Sequence, residues 1–144
     1  MSDDIIPCPI TIAVDNEDII EPLYNEVHGY MEIFANNKNE IIIPPRASQI
    51  VDIPTYVSFS IPEGAELHIT NNIDMIDNKL LVFGSPIILG SYLCENMEIP
   101  LINYSNRNYI VNKGDLIAVA RVYENCQIKI EKSELRLIRG DNEN

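Results

Sequence analysis

Cysteine, histidine, positive charge, glycine-rich loops and long apolar runs are all scarce in this chain, and each shortage narrows what it can be. The cysteines are Cys8, Cys94 and Cys126, widely spaced and with no Cys-x-x-Cys pair. Neither a zinc site nor a dithiol redox centre is indicated, and all three read as small hydrophobes. The two histidines, His28 and His68, stand far apart, which argues against a histidine-based metal site. Ten Lys and Arg face 22 Asp and Glu, giving a net charge of -12. No Lys/Arg stripe offsets that acidity, so phosphate backbones would repel the chain and no nucleic-acid partner is expected. No apolar run approaches the roughly 20 residues that span a bilayer, so no membrane contact is expected. The acidic start Met1-Ser2-Asp3-Asp4 is unlike a signal peptide. The expected location is intracellular. No glycine-rich fingerprint follows any strand-like run, which excludes dinucleotide-binding and P-loop folds.

What remains is an ordinary globular composition, 46% apolar and 22% charged over 144 residues. It is enough for one domain, 1-144, with a core that needs no disulfide. Short strand-like runs recur between turn residues: 10-14, 31-35, 40-43, 48-53, 55-61, 65-70, 80-83, 87-89, 98-104, 109-111, 116-123 and 127-131. Pro44-Pro45 and Pro62-Glu63-Gly64 punctuate them. A helix is hard to place, because Glu17-Asp18-Ile19-Ile20-Glu21 runs into Pro22. The pattern predicts an all-β sandwich or barrel. The pairs Asn36-Asn37 and Asn71-Asn72 read as compositional bias rather than as a functional signal.

The most informative segment is Tyr104 to Val122. It reads as a strand end, a Lys113-Gly114-Asp115 turn, and a second strand whose apolar residues face the interior. Its glycine supplies a backbone conformation that a β-carbon would penalise.

Four such landmarks, in this order, resemble the trimeric dUTPase family. They are His28-Gly29-Tyr30-Met31-Glu32-Ile33-Phe34-Ala35; Ile42-Ile43-Pro44-Pro45 followed by Ile61-Pro62-Glu63-Gly64; Pro100 to Ser105; and Lys113 to Ala118. The resemblance is strongest over 28-122. It implies an all-β, dUTPase-like jelly roll or β-barrel of short, mostly antiparallel strands, assembled as a homotrimer.

It also implies a nucleotide site, and that is where the chain departs from the pattern. Glu32 takes the place of the first motif's metal-organising Asp, with one extra residue beside it. Asn71-Asn72-Ile73-Asp74 stands where the second motif has Pro-Arg-Ser-Gly. An amide at Asn72 lacks the charge and fork of guanidinium. The water-orienting Asp of the third motif falls on Gly90, and its sugar-packing Tyr falls on Leu93, one position from Tyr92. A slip of one residue turns a strand side chain to the other face. The glycine-rich C-terminal arm is cut short over 132-144, with Arg139-Gly140 as its possible remnant. His28, Glu32, Asn71, Asn72, Asp74, Gly90 and Tyr92 are therefore the candidate relic pocket. No catalytic residue and no metal ligand is assigned, Glu32 being at most a remnant.

Other groups have plainer readings. Glu17, Asp18 and Glu21 read as a solvated acidic loop, and Asp74 and Asp77 as part of a surface loop. The seven tyrosines read as core or interface residues, and Arg139-Gly140-Asp141 carries no integrin-type meaning. The expected function is a non-catalytic dUTPase-fold protein, a trimeric structural or interaction module with an unknown protein partner and no cofactor. By resemblance it is a viral accessory or virion protein, cytoplasmic or packaged. Two alternatives stay open. One is a divergent dUTP hydrolase using magnesium, with Glu32 and Asp74 or Asp77 in a rearranged metal site. The other is a sensor that binds nucleotide without hydrolysing it.

Overall fold

The computed structural model describes residues 10-124, 126 and 128-131. Cys8, the 132-144 arm and the Arg139-Gly140 remnant lie outside them. In chain order the elements are β1 Thr11–Val14, β2 Leu23–Asn25, β3 Tyr30–Phe34, β4 Ile41–Ile43, β5 Ile50–Pro54, β6 Val57–Ser60 and β7 Ala65–Thr70. Then come α1 Ile73–Asp77, β8 Leu80–Val82, β9 Ile87–Leu89, β10 Leu93–Cys94, β11 Glu98–Asn103, β12 Tyr109–Val111 and β13 Leu116–Glu124. The sheets run β1-β6-β10, β5-β11-β8, β12-β4 and β2-β3-β13-β7-β9. Every pairing is antiparallel. The fold is all-β, as the turn spacing predicts.

Period-two alternation builds the core. In β7, Leu67 and Ile69 are fully buried while Glu66 and His68 point outward. Val57 and Phe59 of β6 turn inward and their serine neighbours do not. The central strand β13 carries alanine where its neighbours carry bulk: Ala118 faces Ile33 across one ladder, and Ala120 faces Ile69 across the other. Pairing small with large side chains lets three strands share one packed layer.

The Lys113-Gly114-Asp115 turn is fastened at every corner. Gly114 has φ +95°, where any β-carbon is strained. Its N–H donates to Ala35 O at 2.9 Å, and Ala35 N–H donates back to Asp115 O at 2.9 Å. Asn112 N–H donates to Asp115 Oδ2 at 2.8 Å, and Lys113 Nζ donates to Asp18 O at 2.6 Å.

The asparagines turn out to matter for the fold. Asn36 accepts from Ile20 N–H at 2.8 Å and donates to Ile20 O at 3.1 Å and Thr55 O at 2.9 Å. Asn37 donates to Val111 O at 3.0 Å. Buried polar groups persist where they are hydrogen-bonded, so these amides are clips between sheets rather than compositional drift.

Other differences have local causes. Residues 73-77, expected as loop, form the single-turn helix α1, because Asn72 caps its first N–H groups. Strands β2 and β10 are edge pieces too short to show alternation. Residues 128-131 form no strand, contrary to expectation, and Ile128 and Ile130 are exposed. No tyrosine is fully buried, although Tyr109 packs against the core, and Phe59 is the core's one aromatic among the described residues. Cys94 packs against that core, and burial pushes its thiol up, whereas Cys126 is exposed and no small core hydrophobe.

Candidate functional site

Glu32 projects from the outer face of the five-stranded sheet, because its neighbour Ile33 is fully buried on the inner face. Its cross-strand neighbours are Leu23 on β2 and Val119 on β13, and Val119 in turn faces Thr70. Val119 is 2% exposed and places an apolar side chain in the middle of this row. The row leads directly into the second-motif positions, since Asn71 and Asn72 follow Thr70.

The Oδ1 atoms of both amides accept from backbone N–H groups. Asn72 Oδ1 accepts from Asp74 N–H at 2.9 Å and caps α1, and the residue is buried. Asn71 Oδ1 accepts from Val82 N–H and ties the segment to β8. Asp74 sits exposed in the helix's first turn. The segment offers no positive charge.

Gly90 and Tyr92 belong to the other end of the sheet. Leu67 pairs with Leu89, so Gly90 lies level with Glu66 at the start of β7. Asn72 is six residues further along, roughly 20 Å away at the rise of a β-strand. Tyr92 N–H turns back onto Gly90 O at 2.8 Å, while Ile61 N–H donates to Tyr92 O at 3.1 Å. The Tyr92 ring is half exposed. Within one chain, Glu32 and the Asn71-Asn72 segment lie toward one end of the sheet, two strands apart, and Gly90 with Tyr92 lie toward the other.

His28 stacks on Tyr30 with ring centres 5.4 Å apart. Arg121 places its guanidinium 5.1 Å above the same Tyr30 ring. Tyr123 lies 4.1 Å from His68, whose Nε2 is 2.9 Å from Glu66 Oε1. This polar and aromatic outer face was not anticipated from the residues. Its signal was the alternation of β13 itself, where Val119, Arg121 and Tyr123 must share one face.

The family likeness implies magnesium, so the fit matters. Magnesium takes oxygen ligands in an octahedron, usually one or two carboxylates plus waters and phosphates. Glu32 is the one carboxylate in its row, and Leu23 and Val119 bring no oxygen. Among the described residues no three of His, Cys, Asp or Glu come together. The residues do not fit a metal site built by the protein alone.

The topology, the Lys-Gly-Asp hairpin and the Glu32 row together define a dUTPase-like β-barrel. Solved structures agree. A Staphylococcus bacteriophage 80alpha dUTPase mutant bound to dUpNHpp superposes with a TM-score of 0.70 at 16% identity, covering 85% of this chain and 89% of that one. A mutant dUTPase of the S. aureus phage phi11, solved with a structural Mg(II) ion, matches at TM-score 0.70 and 16% identity over 86% and 95% of the two chains. No protein-family model matches the chain. Among curated proteins, the deoxyuridine 5'-triphosphate nucleotidohydrolase of Finegoldia magna is 29% identical over 100 residues, 67% of this chain and 68% of the relative. That of Eremothecium gossypii is 26% identical over 137 residues, covering 92% and 86%. Sequence and fold converge on the dUTPase family as the group this chain is similar to.

Proposed function

We propose that this chain is a non-catalytic member of that family, acting as a homotrimeric structural or protein-interaction module. One observation carries the reading. The positions that should contact phosphate and orient water lack the charge and the carboxylate that the chemistry needs: Asn71 and Asn72 are neutral amides whose Oδ1 atoms are held by backbone N–H groups, and Gly90 has no side chain. Catalysis of phosphoryl transfer rests on positioning and charge stabilisation, and neither is supplied here. A trimer suits the geometry, because only a second copy can bring a Gly90 end near an Asn72 end. Solved 80alpha relatives described as controlling transfer of virulence genes give a precedent for roles beyond hydrolysis in this fold. A viral accessory or virion role belongs to the same reading.

The curated relatives are named as hydrolases, which favours a divergent dUTP hydrolase as the second reading. Incubation with dUTP and magnesium separates the two. The expected result is no pyrophosphate above background, together with a trimer by light scattering at micromolar concentration. Release of pyrophosphate that Glu32→Ala abolishes overturns the proposal. Thermal stabilisation by dUTP or dUMP without turnover replaces it with a nucleotide sensor.

A further inference from the structure

We infer that a second cleft, sharing no residue with the relic pocket, binds the polyphosphate chain of a small molecule. The cleft has a volume of about 610 Å³ and opens between three loops, bringing Arg46, Lys79 and Arg107 together with Asp77, Tyr104 and Tyr109. That volume lies within the usual range of small-molecule sites. Three of the chain's ten Lys and Arg residues thus converge on one place in a protein of net charge -12. They come from the loop after β4, the end of α1 and the β11–β12 turn, so nothing in their sequence spacing announces the cluster. With Asp77 the only acidic residue lining it, the cleft is locally positive.

The loops are held, not merely adjacent. Arg46 N–H donates to Ser105 O at 2.9 Å, and Tyr104 N–H donates to Lys79 O at 2.8 Å. The fully buried Asn103 donates through Nδ2 to Arg107 O at 2.7 Å. All three cation-bearing segments are therefore fastened to one stretch, Asn103 to Ser105. Among the described residues the ion pairs are His68–Glu66 and Lys129–Glu131, so the three cations are not paired there.

Backbone conformation supplies a separate argument. Arg46 has φ +59° and Lys79 has φ +62°. Glycine is at ease in that region, and longer side chains are disfavoured. Carrying Arg and Lys there costs stability, as it does at Tyr56 and Asn96 outside the cleft. Guanidinium forks and an ammonium arriving from three directions match successive phosphates, and Tyr104 and Tyr109 add flat faces for a ring. The phosphate chain is the shared chemistry. Its source is either inorganic polyphosphate or a nucleoside polyphosphate.

Titration of the isotope-labelled full chain, followed by NMR at low salt without magnesium, tests this with sodium tripolyphosphate and, separately, ATP. The expected result is a Kd below about 1 mM with shifts confined to the Arg46, Lys79 and 104-109 loops. The Arg46→Glu/Arg107→Glu double variant should weaken binding roughly a hundred-fold. If reversal disturbs folding, Arg46→Gln/Arg107→Gln should still weaken it about ten-fold. Lys129→Glu, a distant reversal, should change it less than about two-fold. Equal affinity for both probes supports the proposal with an inorganic source. Tighter ATP binding that Tyr104→Ala removes supports it with a nucleotide source. No shift up to about 1 mM probe, shifts centred elsewhere, or affinity untouched by either double variant overturns it.

Discussion

Asn36-Asn37 and Asn71-Asn72 are the same dipeptide placed just past two strands of one sheet, yet they hold the chain in different ways. The first pair bonds across long stretches of sequence, to Ile20, Thr55 and Val111. The second pair bonds locally, to Asp74 and Val82. A long-range clip joins sheets that would otherwise separate, so its loss is felt globally. A local cap shapes one turn, and the rest of the barrel does not depend on it. The amides of the second pair support one helix turn, and the scaffold does not rest on them.

The largest effect should come from the clip. Asn36→Ala removes four side-chain hydrogen bonds, one of them to the buried Thr55 carbonyl, and should cost about 3 kcal/mol, read as a lower urea midpoint with an unchanged slope. A loss under about 1 kcal/mol would erase the distinction between the two pairs. Asn72→Ala should cost only about 1 kcal/mol, the usual worth of a helix cap. A cost matching that of Asn36→Ala would make the second pair as global as the first.

The smallest effect lies on β12, the strand that Asn37 holds through Val111. Burial, and then the negative charge of Asp115, hold the Tyr109 phenol above its ordinary 10.0. The fold therefore keeps this proton where the unfolded chain has released it. That contribution is complete below pH 10.0 and fades as pH rises through the folded value. Tyr109→Phe should flatten the fall in urea stability between about pH 9 and pH 11. An identical fall in both proteins would show that this proton is not linked to folding.

Much of the barrel was legible from the residues, and β7, β9 and β12 match their expected bounds. Their alternation is clear and their ends carry turn chemistry. Helix α1 was hidden because five residues show no period and two of its isoleucines, Ile73 and Ile76, are exposed. Of the tyrosines, only Tyr109 packs against the core, which is filled mainly by isoleucine, valine and leucine. The separation of the candidate positions along β7 depends on strand register, which no single sequence displays. The cationic cleft was invisible for the same reason, since only tertiary structure brings its three loops together.

The left-handed conformations at Arg46 and Lys79 carry one more consequence. Glycine at both positions would fold with less strain, and a library screened only for heat resistance should drift toward it. The stabilised descendants would keep the barrel and lose two of the cleft's three cations. Thermostability selected in this chain would then come at the expense of a concentration of positive charge among its described residues, and a survey of such survivors would map what folding alone prefers.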